Sequence, residues 1–176
     1  MRTVTYGAAC SLDGFIAGLN GEIDWLRQSQ ESTEIIRQYW STIDTILMGR
    51  KTWEPAADYY RRGAPGSGDM KTYVFSRALT TLDAKGVELV RSDVADFVRA
   101  LKARPGKGIC VMGGGELACA LFEADLVDKV GMNMHPILLG AGVPIFRNPN
   151  HRISLELEEC RTLQNGCVYS LYGVTH

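Results

Sequence analysis

The stretch that most limits what this chain can become is Ile109-Cys110-Val111-Met112-Gly113-Gly114-Gly115-Glu116-Leu117-Ala118-Cys119-Ala120-Leu121-Phe122. Its first four residues form a compact apolar run after Pro105-Gly106-Lys107-Gly108, which predicts a short buried strand. Leu117, Ala118, Leu121, Phe122 and Leu126 then fall on one face of a helical repeat, which predicts a helix. Two readings compete for the three glycines between them. Bare backbone can press against a ligand while the free N–H groups of a helix start hold a phosphate. Alternatively, the glycines serve a tight turn that needs positive φ.

Gly113, Gly115 and Ala118 also match a loose G-x-G-x-x-A pattern. A Rossmann fold carries that fingerprint in its first βα turn, with an acidic residue at the end of the next strand. Here the motif comes late, and Lys129 to Met134 ends without Asp or Glu. A nucleotide therefore calls for another architecture.

The chain has 176 residues and a formal net charge of -1. It is long enough for one domain, residues 1–176, with a substantial core. That charge gives no reason to expect nucleic acid or an anionic membrane as partner, and no apolar run is long enough for a membrane helix. The first residues enter an amphipathic strand without a secretory segment. Five scattered cysteines, Cys10, Cys110, Cys119, Cys160 and Cys167, include no C-x-x-C pair, and three distant histidines build no zinc spacing. The expectation is reduced, buried thiols and a cytoplasmic protein without a metal.

Two further strand ends repeat the pattern of the opening stretch. Thr45 to Met48 reads as a strand that ends in Gly49-Arg50-Lys51-Thr52-Trp53, where a helix begins. Two cations and a hydroxyl at a helix start suit an anionic group, since cations there are otherwise unfavourable. Lys71 to Phe75 is a strand that ends in Ser76-Arg77, another polar and cationic pair where open α/β sheets place ligands. The remaining predicted elements are a first strand Arg2–Cys10, a loop from Ser11 to Trp25 anchored by Phe15 and Trp25, and a helix capped by Ser32 or Thr33. That helix, through about Ser41, is expected to bury Ile35, Ile36, Tyr39, Trp40 and Ile43. Beyond it come Arg61 and Arg62 in a glycine-rich loop, a strand Val87–Val90, a helix capped by Ser92 or Asp93, and a strand Lys129–Met134. The tail differs: Ile153, Leu155 and Leu157 alternate with polar residues, and Asn165-Gly166 turns the chain back into Cys167–Val174, a hairpin.

Ile46 to Trp53 resembles the strand-to-helix turn of dihydrofolate reductases. Ala9 to Ala17, Val111 to Leu117 and Leu126 to Gly140 are more similar to the C-terminal reductase domain of the bifunctional riboflavin-biosynthesis deaminase/reductase, and the chain most resembles stand-alone members of that superfamily. The resemblance implies a three-layer α/β/α dihydrofolate reductase-like fold. Its eight-stranded sheet would be mostly parallel, with antiparallel C-terminal strands. It also implies NADPH. Gly49, Arg50, Lys51 and Thr52 would contact the cofactor phosphates, with Ser76 and Arg77 near the adenosine 2′-phosphate. Gly113, Gly114, Gly115, Glu116 and Leu117 would cradle the pyrophosphate, and Ala9, Ile16 and Gly21 would lie along the nicotinamide. A homodimer is expected from the resemblance, through the apolar face of the last strands.

The implied reaction is hydride transfer to a polarised C=N or C=O bond of a small heterocyclic or carbonyl substrate, for which the protein supplies placement and a proton. Asp13, Asp24 and Glu34 are the candidate proton donors. Glu34 stands near the register of the acidic residue of dihydrofolate reductases, and is equally readable as a solvated first-turn carboxylate. Asp13 before Gly14 also suits a loop brace. The chain lacks a zinc deaminase portion. Phe15-Ile16 departs from the polar riboflavin-type loop, and Asp24-Trp25 replaces the folate-type Pro-Trp pair. Three readings remain: a reductase resembling 5-amino-6-(5-phosphoribosylamino)uracil reductase, a dihydrofolate reductase, and a protein that binds NADPH without turnover.

Overall fold

The computed structural model describes residues 1–62, 70–113, 115–147 and 151–175. In chain order the strands are β1 (Val4–Ser11), β2 (Phe15–Ala17), β3 (Ile43–Gly49), β4 (Lys71–Phe75), β5 (Val87–Val90), β6 (Gly108–Met112), β7 (Lys129–His135), β8 (Val143–Pro144), β9 (Ser154–Thr162) and β10 (Val168–Thr175). The helices are α1 (Gln30–Ser41), α2 (Arg50–Arg61), α3 (Val94–Lys102) and α4 (Gly115–Glu123). Eight strands form one sheet in the order β5-β4-β3-β6-β1-β7-β10-β9. From β5 to β7 every neighbouring pair is parallel. β10 runs antiparallel to both β7 and β9. This is the expected fold class, with β2 and β8 added as a separate two-stranded sheet that the sequence did not announce.

Strand alternation sends the two sheet faces to two cores. Val4, Tyr6 and Cys10 of β1 join Leu47, Ile109, Val111 and Val130 under α3 and α4, where Val98, Leu101, Leu117 and Leu121 close the layer. On the other face Ile46, Met48 and Val74 pack under Trp53 and Ala57 of α2. Lys102, buried at the end of α3, holds Asp128 at 2.6 Å and donates to the Leu126 carbonyl. Asp128 also accepts the Val4 N–H at 2.7 Å, so one carboxylate ties α3 to the starts of β1 and β7.

α1 corrects the expected boundary. Its cap is Ser29, whose hydroxyl accepts the Ser32 N–H at 3.0 Å while the Ser32 hydroxyl accepts the Ser29 N–H at 2.9 Å. Ser32 is thus the third residue of a capping box, a role Ser fills as Glu or Gln usually does. The helix face expected to be buried is only partly so: Ile36 is 48% exposed. Among the cysteines, Cys10, Cys110 and Cys167 are buried as expected, Cys160 is exposed on β9, and none of the five is in a disulfide. No helix among the described residues is long and apolar enough to cross a membrane.

Candidate functional site

Because β4, β3, β6 and β1 are adjacent and parallel, their carboxyl ends share one edge of the sheet. Gly49 caps α2 without a side-chain hydrogen bond, the first turn holds no acidic residue, and nothing lies within 4 Å of the place a Cβ would take at Gly49. The first-turn N–H groups are therefore open to an anion. Arg50 is ion-paired with Glu54 at 2.7 Å, whereas Lys51 is exposed and has no ion pair among the described residues. One strand over, Gly113 adopts φ +60°, and a Cβ there would stand 2.8 Å from Thr52 Oγ1. The β6–α4 turn thus rests directly on the first turn of α2, and positive φ and close approach each require glycine. Gly114 lies outside the described residues. Gly115 opens α4 against Arg147, which pairs with Glu116 at 2.8 Å. The Leu117 side chain is committed to the core, so only its backbone faces this edge. On β4's end the Ser76 hydroxyl accepts the Ala78 and Leu79 N–H groups, shaping its own turn, and Arg77 is exposed. An uncapped helix start carrying a lysine with no ion pair among the described residues, and a glycine turn on the adjacent strand end, fit a phosphate-rich dinucleotide.

A cavity of about 230 Å³ lies between α1 and the sheet. Its floor is set by Gly7 of β1 and Gly131 of β7, which are register partners, with Met112 of β6 opposite Gly7 on the other side. Two adjacent glycines leave the sheet without side chains where α1 passes over it. Ile35, Ile36, Tyr39 and Trp40 consequently form a wall and not a sealed interface. Ala9 and Met112, just before Gly113, bring the cavity to the edge that carries the glycine turn. The lining is nearly all apolar, yet the buried Asn133 side-chain oxygen on it has no hydrogen-bond partner among the described residues, and the buried Tyr39 hydroxyl faces only Thr5 and the Cys110 thiol. Burial and the neighbouring Cys110 push the Tyr39 phenol far above its ordinary pKa, so it stays a neutral hydroxyl.

None of the three candidate acids lines this cavity. Glu34 lies on the outer face of α1, bonded to Arg37 and Gln38, and these partners pull its pKa down to about 2. Its geometry is that of the solvated carboxylate. Asp13 accepts from the Ser11 hydroxyl and from the Leu139 and Gly140 N–H groups, which together hold it below the usual carboxylate range. It braces the loops on either side of it. Asp24 is exposed. Of the residues expected along the nicotinamide, Ala9 lines the cavity, Ile16 packs against the main core from β2, and Gly21 forms an exposed turn at φ +88°. Sequence reasoning missed Gly7, Gly131, Tyr39, Asn133 and His135. The only available signal was a glycine inside each of two otherwise well-formed strands.

A family model for the RibD C-terminal domain covers residues 2–169. The chain belongs to that family. It is 32% identical over 182 residues to the Bacillus subtilis protein YyaP, covering 97% of this chain and 94% of that one. Among solved structures, a Shewanella sp. PV-4 protein named for riboflavin biosynthesis superposes with a TM-score of 0.85 at 23% identity, covering 99% of this chain and 100% of that one. The dihydrofolate reductase of Enterococcus faecalis, solved with NADP(H), superposes with a TM-score of 0.69 at 20% identity, covering 99% and 97% of the two chains. At these identities the two structures speak for the fold, and the RibD C-terminal domain assignment rests on the sequence family.

Proposed function

We propose that this RibD-type domain is an NADPH-dependent reductase whose cofactor lies along the carboxyl edge and whose substrate enters the cavity under α1. The observation that carries the reading is the juncture of the two: the anion-suited ends of β3 and β6 stop where Ala9 and Met112 begin the apolar cavity. Gly49, Lys51, Thr52, Gly113 and Gly115 would hold the cofactor phosphates through backbone N–H groups and the Lys51 ammonium, with Arg77 near the 2′-phosphate. When bound, the cofactor supplies hydride. The chain's own contribution is to orient a small, flat heterocyclic or carbonyl substrate against the glycine floor and to keep bulk water off it. The walls carry hydroxyl, thiol and amide groups and no carboxylate among the described residues, so solvent at the mouth provides the proton.

That absence of an acid on the walls also favours a second reading, a protein that holds NADPH without turnover. It speaks against dihydrofolate reduction of the usual acid-assisted kind. NADPH absorbance separates the readings when it is followed in the presence of 5-amino-6-(5-phosphoribosylamino)uracil, dihydrofolate and a set of small cyclic ketones and imines. Oxidation dependent on one class of acceptor supports the reductase and names the class. Tight binding of NADPH with no oxidation by any of them supports the second reading.

A further inference from the structure

The Asn133 amide is a group no argument so far has used, and its orientation follows from its neighbour. His135 stands two residues along β7 on the same side of the sheet, 2% exposed, with the Trp25 ring edge-on at 5.5 Å. Its Nδ1 lies 3.1 Å from the Arg27 backbone nitrogen. A backbone N–H only donates, so Nδ1 carries a lone pair. The Cys167 sulfur lies 3.3 Å from the same nitrogen and can donate to it as well. An uncharged ring with a bare Nδ1 has its proton on Nε2. Burial and the Arg27 charge both favour that uncharged ring.

Nε2 faces the Asn133 amide at 3.3 Å. An N–H there needs an acceptor, and the only acceptor the amide has is its oxygen. Oxygen and nitrogen of an asparagine are assigned by their hydrogen bonds and not by shape. The oxygen therefore belongs against His135, and the NH2 group takes the buried position on the cavity wall that has no partner among the described residues. The Tyr39 hydroxyl, beside Thr5 and Cys110, also lines the cavity. A buried donor without an acceptor is costly, and such groups in an otherwise apolar pocket select the ligand that satisfies them.

We propose that Asn133 is a specificity-determining residue that offers an N–H donor to a carbonyl oxygen or ring nitrogen of an uncharged, flat substrate, and that His135 is the positioning residue that holds the amide that way round. The proposal rests on the reading of the cavity as the substrate site, but not on the cofactor. A ligand that presents only donors to β7 leaves the amide unsatisfied and is rejected.

The test uses two probes of one shape, quinoline and naphthalene, which differ by a ring nitrogen in place of a C–H. Binding is followed through quenching of Trp40, which lines the cavity. The wild-type protein is expected to prefer quinoline by about tenfold, the worth of one good hydrogen bond. Asn133→Leu should bring the two affinities together. His135→Gln should leave naphthalene within about twofold and lose most of the quinoline preference, a split that a general loosening of the fold would not produce. Nitrogen NMR of the wild-type imidazole gives an independent reading and needs no variant: a proton on Nε2 supports the orientation, and a proton on Nδ1 overturns it. Equal binding of the two probes by the wild type overturns the donor role. Should NADPH fail to bind while the quinoline preference holds, the cofactor reading falls and this one stands.

Discussion

If the cavity is kept open for a ligand, the glycine on its floor is held against stability, and replacing it should make the protein more stable. Gly131 does not adopt positive φ, and a Cβ there would meet Leu171 Cδ1 at 3.7 Å and Thr5 Cγ2 at 4.0 Å, ordinary contacts. Gly131→Ala removes the entropic cost of a strand glycine, roughly 0.5–1 kcal/mol, and buries part of a methyl. For a chain of this size about 1 kcal/mol raises Tm by roughly 2–4 °C. Gly113 gives the opposite sign. Its φ of +60° would cost an alanine about 1–2 kcal/mol, and the Cβ would crowd Thr52 at 2.8 Å. Gly113→Ala should therefore lower Tm by about 3 °C or more. Thermal unfolding followed by circular dichroism measures both, and NADPH titration of the same samples completes the contrast. Gly131→Ala should keep its NADPH affinity, and Gly113→Ala should lose it. A destabilised Gly131→Ala protein would show that the floor is already packed and that the cavity has been misjudged. A Gly113→Ala protein as stable as the wild type would remove the strain argument from the glycine turn.

Three other outcomes are expected. Burial and Arg27 hold the His135 pKa below its ordinary value of 6.5, so the unfolded chain takes up its proton at higher pH than the folded one. Its contribution is fully present above the ordinary value and is lost as pH falls through the lowered one. Denaturant midpoints measured across that window should fall more steeply for the wild type than for His135→Gln, and parallel curves would exclude His135 as the source. Asp128→Ala leaves the buried Lys102 ammonium only the Leu126 carbonyl and frees the Val4 N–H; urea unfolding should show a loss of about 1–3 kcal/mol, and no measurable loss would mean the pair is dispensable. We propose a homodimer through the edge strand β9, where Leu155 and Leu157 are 43% and 55% exposed. Light scattering should find a dimer that Leu157→Lys turns into a monomer, and a monomeric wild type would end that proposal.

The sheet was legible because its signals are local and repeated: a β-rich run, a glycine or turn, and an amphipathic helix recur along residues 45–135. The glycine and cation strings that end β3, β4 and β6 were legible for the same reason, since each is short and contiguous. The parallel order then made them neighbours. What was not legible depends on partners far apart in sequence. Glu34 looked like an acid in the right helix, but a helix face is decided by packing, and its i+3 and i+4 neighbours Arg37 and Gln38 drew it outward. The start of α1 was missed because Ser29, Ser32 and Thr33 are all caps by residue type, and only the reciprocal bonds choose among them. Gly7 and Gly131 become a floor only when β1 and β7 lie side by side, across more than a hundred residues of chain. Asn133 and His135 acquire meaning only through Arg27 and Cys167, which the fold brings from opposite ends of the chain.

The most direct test of the account is a titration of the protein with NADPH and NADH, followed by tryptophan quenching, in the wild type and in Lys51→Ala. The account expects tight binding of NADPH in preference to NADH, and in Lys51→Ala a loss of affinity for both of roughly tenfold, the worth of one charge-assisted phosphate contact. No binding of either nucleotide by the wild type would contradict it, and would return the strand ends at Gly49 and Gly113 to the service of the fold alone.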